Sequence, residues 1–403
     1  MKVSCLTNDG NIISIKNQME ILRGYVKPES NKEWVLDNIN ELVNIVLNIE
    51  GISIIASKYI ESWQRPSYLE KSTRKEKFSY DFIVPPGCPD TMKNFALRLY
   101  DSYGKLYDSI SEKYALELKT DIDDPAVKLK SFDSVRHLLP AGTGTNVICS
   151  LNLKDAKEMA ENLLGHSNSE FIDIGGELKK ILENLFEIKP NNMLFQTRNL
   201  GNLSSKFNIS EPNWYVDIFK SFLINPELIS KSFESQVIDM YGMSWESFSK
   251  MMEKREGQVP DVFKTIKISF DCMMDYGAFR DLQRHRRCEK FSELLTIDYG
   301  YVVPDEIKGS EFEFEYKKTL ESVANYEDEE ICNNQTYFQY MIPLGYLHRS
   351  IFQMDMKELY HIIETRIKPE GHSSYRKIVY EMYELSKVLF PEQMKWCKIQ
   401  SIL

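Results

Sequence analysis

The chain has 403 residues, of which 42% are hydrophobic and 27% charged, and a net charge of −10; this is globular composition, and the length suits two domains of ordinary size better than one core. The acidic balance gives no bulk attraction for nucleic acid or an anionic membrane, although a local basic pocket for a phosphorylated small molecule is compatible with it. Seven scattered cysteines with no CxxC pair speak against a disulfide framework or a zinc site, and the lack of an apolar leader or of any window near 18 apolar residues points to a cytoplasmic protein with no membrane partner.

In chain order, hydrophobic periodicity predicts helices over 32–47 and 90–114, with a strand-like run at 53–60 between them. Helices follow at 154–164 and 176–186. Lys189-Pro190-Asn191-Asn192 and Asn199-Leu200-Gly201-Asn202 are rich in turn formers and mark a junction near 190–210. Beyond it come a helix at 244–254, strand-like runs at 262–270 and 299–303, and helices at 356–367 and 374–389. Strands and helices do not alternate strictly, so the expectation is an α+β protein rather than a doubly wound sheet.

Comparing the chain with itself adds an internal repeat. His137-Leu138-Leu139-Pro140-Ala141-Gly142 matches Tyr340-Met341-Ile342-Pro343-Leu344-Gly345, 203 residues later. At the same spacing Asn152-Leu153-Lys154 meets Asp355-Met356-Lys357, each at the start of an amphipathic helix pattern. Upstream, Phe82-Ile83-Val84-Pro85 matches Tyr301-Val302-Val303-Pro304, 219 residues apart. Three matches in one order imply two tandem copies, 1–200 and 201–403.

The densest basic cluster of this acidic chain is Phe279-Arg280-Asp281-Leu282-Gln283-Arg284-His285-Arg286-Arg287. Planar guanidinium groups suit phosphates because they offer paired donors, and an imidazole among them suits a polar ring edge. The plainer alternative is a solvated basic turn offset by nearby carboxylates. At the equivalent place the first copy reads Ser62-Trp63-Gln64, followed by Glu70-x-Ser72-x-Arg74, which offers an acceptor, a hydroxyl and a guanidinium or else is an exposed polar turn. Cys288 lies beside the arginines, which can lower a thiol pKa, but a lone basic-flanked cysteine is more often incidental. His137 reads as structural. His348 and His372 lack carboxylates at metal-ligand spacing, so no metal is expected. Ala141-Gly142-Thr143-Gly144-Thr145 reads as a turn that brings Thr145 near ligand, and Trp63 and Tyr375 are candidates for stacking on a ring.

Phe279-Arg280-x-Leu282-x-Arg284-His285-Arg286 resembles the signature of the flavin-dependent thymidylate synthases, an aromatic-Arg-Gln-Trp-x-Arg-His-Arg run followed by an Asn-Glu-x-Ser-x-Arg loop. Further segments agree: Ile49-Glu50-Gly51-Ile52-Ser53, Arg136-His137-Leu138-Leu139-Pro140 with Thr145 and Asn152-x-Lys154, His361-Ile362-Ile363-Glu364-Thr365-Arg366, and His372-Ser373-Ser374-Tyr375. The resemblance implies two copies of an α+β unit, a mixed sheet with flanking helices, which normally assembles as a tetramer with sites between subunits. It implies flavin adenine dinucleotide (FAD) as cofactor, NADPH as reductant and methylenetetrahydrofolate as carbon donor. The substrate would be a pyrimidine nucleotide, dUMP, methylated at carbon 5.

The departures from the family pattern are complementary. The first copy has lost the Arg-His-Arg triplet and keeps Glu70, Ser72 and Arg74. The second keeps Arg284, His285, Arg286 and Arg366, but has Leu294 and Thr296 in its nucleotide loop and Asp281 for the family's Gln. The family's late substrate arginine is missing from both copies, near Ile174 and near Lys377, where Arg376 is a candidate substitute. A composite site is therefore expected. Arg284, the catalytic candidate, would bind flavin with His285, Arg286 and Arg366, while Glu70, Ser72, Arg74 and Lys154 would hold the nucleotide. A homodimer would imitate the family's tetramer. The alternatives are a non-catalytic nucleotide- or flavin-binding scaffold or sensor, and an enzyme acting on a different uridine nucleotide.

Overall fold

Alternation of apolar and polar residues sets the first sheet. In the computed structural model, which describes residues 1–6, 40–78, 80–191, 214–218 and 226–399, β1 (Lys2–Cys5) pairs with β2 (Asn44–Ser53), in which Ile45, Leu47 and Ile49 are buried and Val46 and Asn48 face outward. Gly51 takes φ +65° where the register of β2 slips, the left-handed conformation that a bulge requires and glycine adopts without steric cost. Helix α1 (Ile54–Ile60) and β3 (Ser67–Glu70) follow, then α2 (Thr91–Leu118), α3 (Pro125–Val135), β4 (Gly144–Asn152), α4 (Leu153–Leu164) and α5 (Ser169–Phe186). The sheet order is β1-β2-β4-β3.

The second sheet repeats that order as β5-β6-β8-β7. Its elements are β5 (Tyr215–Ile218), helices α6 (Pro226–Tyr241) and α7 (Trp245–Glu253), β6 (Lys267–Asp275), α8 (Tyr276–Leu282), β7 (Glu289–Ser292), α9 (Glu313–Glu321), β8 (Leu347–Asp355), α10 (Met356–Arg366) and α11 (Ser373–Leu389). β4 and β8 start 203 residues apart, as the repeat requires. The described pairings are all antiparallel, so the sheets are not mixed. Whereas β4 has one wet face, Leu347–Phe352 of β8 is buried on both. Arg349 survives there because Asp271 on β6 receives its guanidinium through two hydrogen bonds, of 3.0 and 2.6 Å.

Two units result. One holds Met1–Thr197 together with Glu321–Pro343; the other holds Arg198–Leu320 and Leu344–Leu403. Residues 321–343, which a division at 200 puts in the second copy, thus complete the first unit. Within that unit Tyr340 donates to the fully buried Glu170 at 2.6 Å, and Ala141 N bonds Ile342 O at 2.9 Å.

The helices at 90–114, 154–164, 176–186, 244–254, 356–367 and 374–389 stand within a few residues of their predicted ends, apart from about two turns more at the start of α5. The strand expected at 53–60 is helix α1 instead. Its β-branched start reads locally as strand, but the Ser53 hydroxyl accepts from Ala56 N at 3.0 Å and caps a helix that buries Ile54, Ile55, Ala56 and Ile60. Of 262–270, the first part is a 3₁₀ turn, Asp261–Thr265, before β6 begins at Lys267. The run 299–303 makes only an isolated bridge between Tyr301 and Tyr346. Of the helix expected at 32–47, residues 32–39 lie outside the described residues, 40–42 are helical, and 44–47 belong to β2.

Candidate functional site

β6 ends at Asp275, whose carboxylate caps α8 by accepting from Ala278 N at 2.8 Å. After two turns α8 stops at Leu282, and the chain turns through 283–288. Arg284, Arg286 and Arg287 are exposed, while His285 and Cys288 are buried. Lys290 on β7 reaches beneath the turn and donates to the carbonyls of His285 and Cys288; its own burial pulls its pKa below the usual lysine value.

The exposed arginines line a cleft of 610 Å³ in the second unit, within the range usual for small-molecule sites. Helix α10 contributes Lys357, Glu358, His361 and Glu364 to its wall, and Lys368 follows. The loop after α7 contributes Arg255–Val259. Arg255 is buried and bonds to Glu364 and to the carbonyls of Gly257 and Trp396, so this part of the wall is held from within. Arg284, Arg287 and Lys368 have no ion-pair partner among the described residues. The lining therefore carries more positive than negative charge, an arrangement that selects a phosphate-bearing anion.

His285 is also part of the cleft's lining, although it is buried. Its Nε2 accepts from Arg366 Nε at 2.8 Å, and its Nδ1 lies 3.6 Å from Glu358. Burial is the largest influence on the imidazole and, with Arg366, holds its pKa below the usual value against the pull of Glu358. Arg366 crosses the Tyr375 ring at 5.5 Å and does not line the cleft, so the structure places it as a support for His285 rather than on the ligand-facing wall. Tyr375 is likewise buried under that guanidinium. The rings of His285 and His361 are 5.6 Å apart. His285, Glu358 and His361 bring possible donor atoms within 4.8 Å of one another, but the Nε2 lone pair is taken by Arg366 and the surrounding guanidinium and ammonium groups repel a cation.

Cys288 is not the activated thiol that its basic neighbours suggest. Burial pushes it up to about 12, and Lys290 offsets only part of this. His348 and His372 are structural. His348 packs edge-on against the stacked Tyr276 and Phe279 rings with Nε2 2.9 Å from Glu293 O, and His372 caps α11 by accepting from Ser374 N at 3.1 Å. His137 and Thr145 are buried. The second unit's loop after β7 turns inward, with Glu293 accepting from Tyr299 at 2.6 Å.

In the first unit the corresponding place is aromatic. Trp63 occupies the position of His285 and is buried, with Tyr59 packed edge-on against its ring and in turn against His166 and Phe171. Asp155 replaces Glu358 and pairs with Arg65 at 3.0 Å. Glu70 is buried, accepting from Ser57 at 2.6 Å and pairing with Lys58 at 2.8 Å. Ser72 Oγ accepts from Arg74 N at 3.3 Å, and Arg74 grips Asp133 through two hydrogen bonds of 2.6 Å. Lys154 pairs with Glu41 at 3.1 Å on the surface. The loop 70–74 is thus ordered, but its carboxylate and guanidinium already have partners. Sequence reasoning missed Glu358, Arg255, Glu364 and Lys290. Glu358 had a signal, its i,i+3 spacing to His361 on one helix face; the others are assembled only by the fold.

The family model described as thymidylate synthase complementing protein matches this chain twice, over residues 34–185 and 215–392. Among curated proteins, a UPF0159 protein of Chlamydia pneumoniae is 26% identical over 85% of this chain and 74% of its own length. One from Thermoplasma acidophilum is 23% identical over 89% and 85%. Among solved structures, the flavin-dependent thymidylate synthase ThyX from Helicobacter pylori, complexed with FAD and dUMP, is 14% identical with a TM-score of 0.33, covering 46% of this chain and 98% of that one. The UMP/dUMP methylase PolB from Streptomyces cacaoi, bound with 5-Br dUMP, is 13% identical with a TM-score of 0.35, covering 46% and 95%.

Proposed function

Because the chain belongs to the thymidylate synthase complementing protein family, matched in both halves, we propose that it is a flavin-dependent methylase of a uridine nucleotide whose cofactor binds in the cleft of the second unit. The observation that carries this reading is the outward set of Arg284, Arg286 and Arg287 above a buried His285, joined across the cleft by Lys357 and Lys368. These donors suit the diphosphate of FAD, and the cleft volume suits a small-molecule cofactor. When bound, the flavin supplies the redox chemistry by which carbon from methylenetetrahydrofolate reaches carbon 5 of the uracil ring, with NADPH as reductant.

The chain's own residues bind and orient. Arg284 and Arg286 offer directed hydrogen-bond donors, Arg287 and Lys368 add positive potential, and the Arg255–Glu364 pair holds one wall in place. Ser72 and Arg74 are assigned to the nucleotide phosphate, with Glu70 and Lys154 in support, and a dimer of this chain is assigned the role of the family's tetramer. In this reading Arg74 exchanges Asp133 for phosphate. The test is reconstitution: apoprotein titrated with FAD acquires a flavin spectrum, and the loaded protein then methylates dUMP or UMP. A protein that stays colourless sinks the proposal.

A second reading has its own support. Glu70 and Arg74 are already engaged within the first unit, and a buried Trp63 stands where the second unit has His285. A protein that retains flavin or nucleotide as a sensor would show this pattern. FAD binding without methylation of any uridine nucleotide would decide for it.

A further inference from the structure

The two ends of the His285 ring constrain each other. An arginine Nε can only donate, so Nε2 of His285, 2.8 Å away, must present its lone pair. A neutral imidazole then carries its proton on Nδ1, which faces Glu358 Oε1 at 3.6 Å. The alternative, an imidazolium, would set an Nε2–H against the Arg366 N–H and place two positive charges in contact. The side chains of His285 and Glu358 are 5% and 7% exposed, so neither finds a substitute partner in water. From below, Lys290 holds the His285 carbonyl.

We propose that Glu358 is the positioning residue of the cleft: its carboxylate, 3.6 Å from Nδ1, favours the tautomer protonated there, which leaves Nε2 to accept from Arg366, and so holds Arg284 and Arg286 facing the ligand. His285 is then a pin and makes no ligand contact through either nitrogen. The first unit supports this by its changes. Where the second has His285, Glu358 and Arg366, the first has Trp63, Asp155 and Leu163, a set with no imidazole and no guanidinium anchor. Ring and arginine are absent together, and the acid that remains, Asp155, pairs with Arg65 instead.

The ligand part of this inference rests on the flavin reading of the cleft; the tautomer part does not, and the experiment separates them. Protein labelled with ¹⁵N at its six histidines and assigned with His285→Asn reads the tautomer of His285 directly from long-range proton–nitrogen correlations. Wild type is expected to show protonated Nδ1 and unprotonated Nε2. Glu358→Leu is expected to mix the tautomers and to weaken FAD binding about tenfold, the cost of one lost buried hydrogen-bond partner. Glu358→Gln, whose amide oxygen still accepts from Nδ1, is expected to keep the tautomer and bind FAD within about twofold of wild type. Wild-type His285 protonated on Nε2, or on both nitrogens, overturns the proposal, as does Glu358→Leu with tautomer and FAD affinity unchanged. If Glu358→Leu does not fold, the wild-type spectrum and Glu358→Gln still decide. Wild type that binds no FAD but shows the expected tautomer sinks the flavin reading and leaves the pin standing.

Discussion

At the scale of residues, charge and partnership separate ligand-facing groups from structural ones. Arg284 is exposed and has no ion-pair partner among the described residues, so its guanidinium is available without displacing a carboxylate. Replacing it by Ala should raise the FAD dissociation constant about ten- to a hundredfold, the usual worth of a charge-assisted hydrogen bond. An unchanged dissociation constant in a flavin titration would remove Arg284 from the site. Arg74 is in the opposite situation, since Asp133 occupies both donor edges. If Arg74 serves the nucleotide phosphate, Asp133 is its competitor. Asp133→Asn should then tighten dUMP binding by calorimetry while Arg74→Ala abolishes it; weaker binding in Asp133→Asn would mean that Asp133 orients Arg74 instead. The basic triplet was legible in the sequence because four arginines in eight residues are conspicuous in an acidic chain. That its histidine points inward was not, because the partners Glu358 and Arg366 come from a helix some 70 to 80 residues later.

At the scale of elements, caps and burial decide conformation where composition misleads. Residues 53–60 carry strand-like side chains, yet Ser53 starts a helix and its backbone N and hydroxyl both bond to Glu170, each at 2.7 Å. Ser53→Ala removes the cap and one of the donors to a buried acid, and should cost about 2 kcal/mol in urea unfolding. A loss below ~0.5 kcal/mol would show that the cap is incidental. On the equivalent turn of the second unit, Asp275 does the same for α8, which is why Arg284–Arg287 emerge at a fixed place beside α10. The repeat predicted this equivalence, but no local signal distinguished a capped helix from a strand at 53–60.

At the scale of the whole molecule, buried histidines tie stability to pH. His348 is fully buried, and burial lowers its pKa from 6.5 to about 4. An unfolded histidine takes up a proton below pH 6.5 that the folded one refuses. Its contribution to stability is therefore complete above pH 6.5 and is lost as pH falls toward 4, by about 1.4 kcal/mol per unit. The melting temperature should drop over that window. His348→Thr, which installs the residue the first copy has at the matching register, should make the drop shallower. An unchanged slope would assign the acid sensitivity to other groups.

The sequence by itself determined the α+β class, the duplication and the family, because segment order, repeat spacing and a run of charged residues are properties of a one-dimensional string. It also marked the basic segment 284–287 that lines the cleft. Only the tertiary structure decided which of those side chains face the cleft, that Arg366 stands behind His285, that Cys288 is buried, and that Glu70 and Arg74 already have partners. Each of those outcomes depends on what a distant element brings within hydrogen-bond reach, and on burial, which sets the cost of leaving a polar group unpaired.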